Sequence, residues 1–237
     1  MICEVKDVLY GSDAYIEDFS QRLSQFVKRW RHLLIVGSGL WLGLMILLHV
    51  QSFVSIGDIT RDPATIALHP PYYGALSNLS ILLWSASAAI CFLSAVLLNI
   101  LQPKSDSGLF FGLFAGLSTV LCLDDTYLLH EAILPNRLPG ISISESVVVL
   151  TYALTLLGGI LYFRKLILKT QVWLFSISLG LFIIAVSIDQ LLPKTLIAED
   201  TFFLIEDGFK LLAIFFWLAY FVRSSIDLIV TVVNRRV

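Results

Sequence analysis

The sequence predicts an all-α, polytopic integral membrane protein with six transmembrane helices, an N-terminal interfacial amphipathic helix and both termini in the cytoplasm. Hydrophobic residues occupy 57% of the 237 positions and charged residues only 14%, well below the roughly 25% charged residues of soluble domains. The mean hydropathy is +0.86. Six apolar windows reach the length of about 20 residues that a helix needs to cross a bilayer.

The first 32 residues form an amphipathic segment ahead of the first span. From Tyr15 to Trp30 apolar residues recur at helical spacing, and most charged residues fall between them. The chain start is acidic and polar and lacks the apolar region of a cleavable signal peptide. We therefore expect residues 1–32 to lie at the membrane interface, either against lipid or against the cytoplasmic end of the bundle.

The six predicted spans occupy residues 33–223, and residues 224–237 are expected to form a cytoplasmic tail. Loops with proline, glycine or charge separate the spans, as in "QPKSDSG" and "LPNRLPG". The predicted bounds are Leu33–Ile56, Ala75–Leu101, Leu109–Leu134, Ile143–Phe163, Val172–Leu192 and Phe202–Phe221.

The orientation of the bundle follows from the lysines and arginines of its loops. Most of them lie in the N-terminal flank, the second-to-third and fourth-to-fifth connections and the tail, whereas Arg61, Arg137 and Lys194 are alone in the other three connections. The positive-inside rule places both termini in the cytoplasm. The expected location is the bacterial inner (plasma) membrane, in contact with membrane lipids.

Charge and cysteine content exclude other classes of protein. A formal net charge of −2 and a pI near 6.1 give no basic field for nucleic acid. Cys3, Cys91 and Cys122 have no CxxC spacing, so neither a disulfide framework nor a metal finger is indicated. The sequence does not decide between a homo-oligomer and other protein partners.

The ionisable residues inside the predicted spans gather at one depth, on the non-cytoplasmic side. The third span carries the segment "LDDTYLLHE", and the sixth begins with "IEDGFK". A carboxylate inside a membrane costs several kcal/mol unless it is paired, so these groups are expected to face a partner or a cavity. The set comprises Asp124, Asp125, His130, Glu131, Asp189, Glu206, Asp207 and Lys210, with His49 at the end of the first span.

Helical geometry limits which of these groups can cooperate. On a continuous helix Asp124 and Glu131 share a face but lie about 10.5 Å apart along the axis, too far to bind one ion. Asp125 and His130 point to opposite sides of that face. In the sixth span Lys210 is expected to neutralise a carboxylate three or four residues earlier, and Gly208 to allow close approach of a neighbouring helix.

Carboxylates and an imidazole on several helices are typical ligands of Zn, Mn or Fe in helical bundles, although the spacings ExxH and HExxH are absent. A bound metal would activate water, which favours metal-dependent hydrolysis of a lipid or another amphiphile. The predicted metal ligands are Asp124, His130, Glu131, Asp189 and Asp207. The predicted catalytic residues are Asp125 and Glu206, and the supporting polar residues are His49, Tyr127 and Lys210.

Two alternatives remain open for the same residues. A proton- or cation-coupled transporter or channel also places acids and histidines inside spans, although no internal repeat or pair of broken helices is evident. The second alternative is a non-catalytic structural or assembly subunit of a membrane complex.

The segments "LDDTYLLHE" and "EDGFKLLAIFFWLAYF" resemble those of uncharacterised bacterial polytopic membrane proteins that carry a DD…LHE segment followed by an EDG-K segment. This resemblance implies that the two segments act together, and it implies no activity. A more general similarity, a cluster of Asp, His and Ser near one membrane face, is to the alkaline-ceramidase-like membrane hydrolases. That family has seven spans and three zinc histidines, whereas the sixth span here has no histidine.

Overall fold

A computed structural model of the chain describes residues 2–61, 63–103, 105–136, 143–191 and 199–234. Every regular element in these ranges is a helix, which confirms the all-α class for this part of the chain. Among the described residues five helices are long and apolar enough to cross a membrane: Ala75–Leu101, Asp106–Tyr127, Glu145–Ile167, Val172–Asp189 and Thr201–Asn234. The protein is therefore a multi-pass membrane protein.

The chain divides into two compact units, Met1–Gly74 and Ala75–Val237. The first unit contains a long helix, α1 (Ile2–Val50), and two short helices, α2 (Ile56–Thr60) and α3 (Pro63–Ile66). Helix α1 is continuous through residue 32, where the sequence predicts the change from amphipathic segment to span. Its apolar part, Leu34–Val50, is shorter than the five spans.

Helix α1 ends at Val50, six residues before the predicted end of the first span, because Gln51 caps it. The Gln51 amide nitrogen donates to the carbonyl oxygens of Leu48 at 3.2 Å and Val54 at 2.8 Å. Its amide oxygen accepts the backbone N–H of Phe53 at 2.8 Å. This glutamine satisfies backbone groups that a helix end leaves without a partner.

The second unit contains the five spans. Its helices are α4 (Ala75–Leu101), α5 (Asp106–Tyr127), a π-helical turn (Leu129–Ile133), α6 (Leu134–Asn136), α7 (Glu145–Ile167), α8 (Val172–Leu191) and α9 (Glu199–Asn234). The predicted second span coincides with α4, and the predicted fifth begins with α8 at Val172, while its predicted last residue, Leu192, lies outside the described residues. The third span was predicted to end at Leu134, which is wrong because α5 stops at Tyr127.

Helix α9 continues past the predicted end of the sixth span at Phe221 and includes residues 224–234 of the predicted cytoplasmic tail. Two features stabilise helix α9 beyond Phe221. Arg223 and Asp227 form an i,i+4 ion pair at 3.2 Å, and apolar residues such as Leu228 and Val232 keep the helical spacing that packs on the core.

Helix α4 packs against both α5 and α9, and α8 packs against α9. The contact faces use small hydroxyl residues: the hydroxyl oxygens of Ser94 and Ser225 are 2.6 Å apart, and Ser178 donates to the carbonyl of Ala213 at 2.9 Å. Small side chains let membrane helices approach closely, and their hydroxyl groups form hydrogen bonds between the helices.

An aromatic cluster fills the interior of this unit, and Trp217 lies at its centre. The Trp217 ring is 1% exposed, and its indole N–H donates to the Ser118 hydroxyl at 3.0 Å. Its ring centroid lies 5.1–6.1 Å from those of Trp84, Phe114, Phe175, Phe182 and Phe221. Such ring pairs stabilise a core beyond the apolar area that they bury.

We predict that Trp217→Ala destabilises the protein by about 3 kcal/mol, because it opens a cavity among five rings. Trp217→Phe keeps a ring but removes the donor to Ser118, so its cost is about 1 kcal/mol. Thermal unfolding in detergent measures both changes. Trp173→Ala, at a side chain 55% exposed, is the control, and an equal loss there would contradict the central role of Trp217.

Candidate functional site

Helix α5 ends in an unusual turn. Leu128 adopts the left-handed conformation, with φ 52° and ψ 48°, and its N–H bonds to the carbonyl of Asp124. A non-glycine residue in this region costs about 1–3 kcal/mol, so the surrounding structure must stabilise it. The chain then makes the π-helical turn Leu129–Ile133, in which the N–H groups of Ala132 and Ile133 both bond to the carbonyl of Leu128.

The buried carboxylate of Asp124 holds this turn together. It accepts the backbone N–H of His130 at 2.9 Å, and its second oxygen lies 2.5 Å from Nδ1 of the His130 ring. The hydroxyl of Tyr152, on α7, also interacts with the same carboxylate. Asp124 therefore supplies an acceptor for an N–H group left over by the helix break and fixes the orientation of the imidazole.

The break at Leu128 overturns the geometry expected of a continuous helix. Asp124 and Glu131 do not share a helical face, and His130 does not point away from Asp124 but folds back onto it. Glu131 instead brings its Oε1 to 3.5 Å from Nε2 of His130, with a side chain 53% exposed. The imidazole thus lies between two carboxylates.

This environment raises the pKa of His130 above its ordinary value of 6.5. The main cause is the hydrogen bond to Asp124, which favours the imidazolium, and burial opposes it. The negative charges of Asp124 and Glu131 raise the pKa further, and the charge of Lys210 lowers it. His130 lies three residues beyond the end of the candidate span Asp106–Tyr127, so it titrates at the membrane boundary.

A second charged pair joins three helices. The ammonium of Lys210, on α9, lies 2.7 Å from Oδ1 of Asp125 on α5. The other oxygen of Asp125 accepts the indole N–H of Trp84, on α4, at 3.1 Å. The Asp125 side chain is 7% exposed and that of Lys210 33% exposed. Sequence reasoning did not find Trp84, since no local signal distinguishes it from a core tryptophan.

Two expectations for the start of α9 are corrected. Lys210 makes its direct contact across to Asp125, with Asp207 acting on it only as a nearby charge. Gly208 was expected to admit a neighbouring helix, but a Cβ placed there meets nothing within 4 Å among the described residues.

The remaining predicted residues are less central. Asp189 on α8 and Glu206 on α9 are half-buried, and Tyr127 is exposed at the end of α5. His49 ends α1 in the first unit and is exposed. The gathered site therefore consists of the Asp124–His130 and Asp125–Lys210 pairs with Trp84, Tyr152, Glu131 and Asp207.

An aromatic floor closes the site on its inner side. Trp84 stacks on Phe182 with ring centroids 5.8 Å apart, and it contacts Trp217 edge-on at the same distance. Trp84 is 2% exposed. The Trp84 ring thus packs in the aromatic cluster, while its indole N–H donates a hydrogen bond to Asp125.

Within the part of the chain that the structure describes, no group of three or more His, Cys, Asp or Glu side chains is arranged to hold a metal ion. Asp124 and Nδ1 of His130 bind each other. Nε2 of His130 lies 3.5 Å from Oε1 of Glu131. The expected Zn, Mn or Fe site stays a prediction.

Comparison with known proteins identifies a family. Residues 32–224 match the family model described as Domain of unknown function (DUF8692). The match includes both "LDDTYLLHE" and "IEDGFK" and therefore the whole candidate site. No curated protein and no solved structure matches the chain.

We predict that Lys210→Met costs about 3 kcal/mol of stability, because it leaves Asp125 charged and buried without its cation. The double variant Asp125→Asn/Lys210→Met is expected to cost less than the sum of the single variants, by about 1–3 kcal/mol. Unfolding in detergent measures this double-mutant cycle. Arg223→Met, which breaks the more exposed pair with Asp227, is the control, with a cost below about 1 kcal/mol.

We predict that the His130–Asp124 pair stabilises the protein most at low pH. Because the folded pKa of His130 lies above its unfolded value of 6.5, the stabilisation is complete below that value and is lost as the pH rises through the folded pKa. A charge-assisted bond of this kind contributes about 2 kcal/mol. The unfolding midpoints of wild type and His130→Gln should converge as the pH rises above the ordinary histidine pKa of 6.5. A constant difference would contradict the prediction.

Proposed function

The chain belongs to the DUF8692 family, and we propose that it is a membrane-embedded hydrolase that cleaves an ester or amide bond in a lipid or another amphiphile. The observation that carries the proposal is the Asp124–His130 pair, with 2.5 Å between Oδ2 and Nδ1. A carboxylate that holds Nδ1 orients the imidazole and leaves Nε2 to accept a proton.

His130 is the general base of the proposed reaction. Its side chain is 18% exposed, and Asp124 stabilises the imidazolium that forms. Asp125, which the sequence suggested for the catalytic role, already accepts a hydrogen bond at each oxygen. We therefore assign the role of general base to His130 instead of Asp125.

Lys210 supplies the positive charge that the reaction needs. Water gives a proton to Nε2 of His130, and its oxygen attacks the carbonyl carbon of the substrate. The oxyanion that forms is stabilised by the Lys210 ammonium, which Asp125 and Trp84 hold in place. The carbon–oxygen or carbon–nitrogen bond then breaks, and the imidazolium returns the proton to the leaving group.

A groove between the helices that carry Trp84 and Asp125 supports the proposal of an amphiphilic substrate. It lies between α4 and α5, has a volume of about 650 Å³ and is lined mainly by alanine, glycine and Phe92. Its residue Thr119 precedes Asp124 by five positions, about 7.5 Å along the helix. An acyl chain in this groove would hold its polar end near the level of the site.

The aromatic floor favours a hydrolase over a transporter or channel. A pathway through the membrane needs polar groups on both sides of the midplane. Beneath Asp125 the interior of the described bundle is filled by the rings of Trp84, Phe182 and Trp217. The charged groups thus form a site that is open at one end.

The membrane topology is part of the proposal. Leu34–Val50, 17 residues long, is taken as a sixth crossing, at the short end of the range for a transmembrane helix. Both termini then face the cytoplasm of a bacterial inner membrane, in agreement with the loop lysines and arginines. The site opens on the non-cytoplasmic side, at the level of the lipid headgroups.

Hydrolysis of long-chain esters and amides in detergent micelles tests the function. His130→Gln should lower the rate by about 10²–10⁴-fold, because it removes the base, and Asp124→Asn should lower it as well. The wild-type rate should rise with pH as His130 loses its proton. Asp106→Asn, at the opposite end of α5, is the control and should keep full activity. The unfolding midpoint of each variant separates lost chemistry from lost folding.

Folded wild-type protein that cleaves none of these amphiphiles contradicts the proposal and favours a transport or assembly role. Metal analysis of the same preparations tests the role of a cation. Stoichiometric Zn, Mn or Fe that disappears in both Asp124→Asn and Glu206→Gln would contradict a reaction driven by the Asp124–His130 pair alone. It would support instead the metal-dependent form of the hydrolase.

A further inference from the structure

The connecting segment between α1 and α4, described over residues 51–61 and 63–74, presents two large apolar side chains to its surroundings. Phe53 is 94% exposed and Leu68 is 90% exposed. These are the two highest values among the large apolar side chains that the structure describes. Because the protein covers almost none of their apolar area, both side chains would be stabilised by an apolar partner outside the chain.

Hydrogen bonds fix the turn that carries Phe53. The amide oxygen of Gln51 accepts the backbone N–H groups of Phe53 at 2.8 Å and Val54 at 3.0 Å. The amide nitrogen of Gln51 donates to the carbonyl of Val54 at 2.8 Å. The exposure of the phenyl ring is therefore a property of a hydrogen-bonded turn.

Leu68 ends the short helix α3 in a left-handed conformation, with φ 57°. Its N–H bonds to the carbonyl of Thr65 at 3.4 Å, and the N–H of His69 bonds to the carbonyl of Ala64 at 2.9 Å. This is the pattern of a Schellman cap, in which glycine usually occupies the left-handed position because a side chain is strained there. The cap thus holds a strained leucine in an exposed position.

Two tyrosines lie directly before α4. Tyr72 is 70% exposed and Tyr73 is 54% exposed. The Tyr73 ring stacks on His69 with centroids 5.1 Å apart and contacts Tyr72 edge-on at 5.5 Å. The candidate span α4 begins two residues later, at Ala75. Tyrosines at the end of a span prefer the level of the lipid headgroups, where the ring is in apolar surroundings and the hydroxyl group is in water.

The position of the connecting segment in the chain indicates which partner covers it. Phe53 lies three residues after the end of α1 at Val50, and Leu68 lies seven residues before the start of α4 at Ala75. Even a fully extended chain would carry the two residues no more than about 10 Å and about 25 Å from these helix ends. Because α4 begins at the membrane boundary, the lipid there is within reach of Leu68. Phe53 is as close to the apolar end of α1.

We infer that the connecting segment is an interfacial anchor in the lipid leaflet at which α4 begins. Phe53 and Leu68 insert among the acyl chains, and the hydroxyl groups of Tyr72 and Tyr73 lie among the headgroups. The partner is the phospholipid of that leaflet, which the segment binds through apolar area. The anchor is a function of the chain beyond the proposed hydrolysis.

Spin labels in phosphatidylcholine nanodiscs test the inference. A nitroxide at Phe53→Cys or Leu68→Cys collides with molecular oxygen in hydrocarbon and with a soluble nickel chelate in water. The ratio of oxygen to nickel collisions should be close to that at Leu93→Cys, at a side chain 58% exposed within α4. It should be well above that at Asp58→Cys, on the exposed surface of α2. The protein's own cysteines are first changed to alanine: Cys3, Cys91 and Cys122.

Trypsin cleavage after Arg61 is a second measurement, and it needs no change of cysteines. Arg61 is exposed within the connecting segment. In nanodiscs Phe53→Ser/Leu68→Asn should be cleaved there about 10-fold faster than wild type, because each apolar side chain in lipid opposes opening of the segment. Asparagine tolerates the left-handed conformation, so it removes the apolar side chain and keeps the turn. Ala67→Ser, beside Leu68, is the matched control and should keep the wild-type rate.

Three outcomes would overturn the anchor. Labels at Phe53 and Leu68 that collide with the nickel chelate as often as the label at Asp58 would place both residues in water. Labels that collide with neither probe would place them against protein, such as a second copy of the chain. An unchanged cleavage rate in the double variant would show that lipid does not hold the segment. These measurements use no substrate, so they are independent of the proposed hydrolysis.

Discussion

The second unit depends on one constraint: a carboxylate in the hydrocarbon region must be neutralised by a partner. Asp125 meets it with Lys210 from α9 and the indole N–H of Trp84 from α4. These two contacts join three helices at one point. Because Trp84 also stacks in the aromatic cluster, the position of the ion pair is coupled to the packing of the core below it. Charge pairing and core packing thus fix the same arrangement of helices.

Apolar length and charge were sufficient to predict much of this fold. The run from Ala75 to Leu101 has no competing signal, and the structure reproduces both of its ends. The meeting of "LDDTYLLHE" with "IEDGFK" was also predictable, because charges inside a membrane need partners. The break at Leu128 was not, since its neighbours include neither glycine nor proline. The turn is stabilised by a contact between Asp124 and His130, which are six residues apart. Helical periodicity predicts contacts between residues three or four apart, so it does not predict this one.

The break also changed the chemistry assigned to the segment. On a straight helix Asp124 and Glu131 would form one stripe and His130 would be remote. In the folded chain His130 is the shared neighbour of both. A single strained residue therefore converts separate charges into an oriented acid–base pair, and Asp124 serves the backbone and the imidazole together. Structural and chemical roles of Asp124 cannot be separated by removing its side chain, so His130 is the more informative residue for substitution.

The distance along the chain between Asp125 and Lys210 has a consequence for biogenesis. The two residues are 85 positions apart, and α9 is synthesised after α5, α7 and α8. While α5 leaves the insertion machinery, Lys210, the cation that pairs with Asp125 in the folded protein, has not yet been synthesised. Because a carboxylate without a partner is costly in lipid, we expect Asp125 to remain in contact with water until α9 arrives. The stable insertion of α5 in lipid is thus completed late, when α9 supplies Lys210 to Asp125.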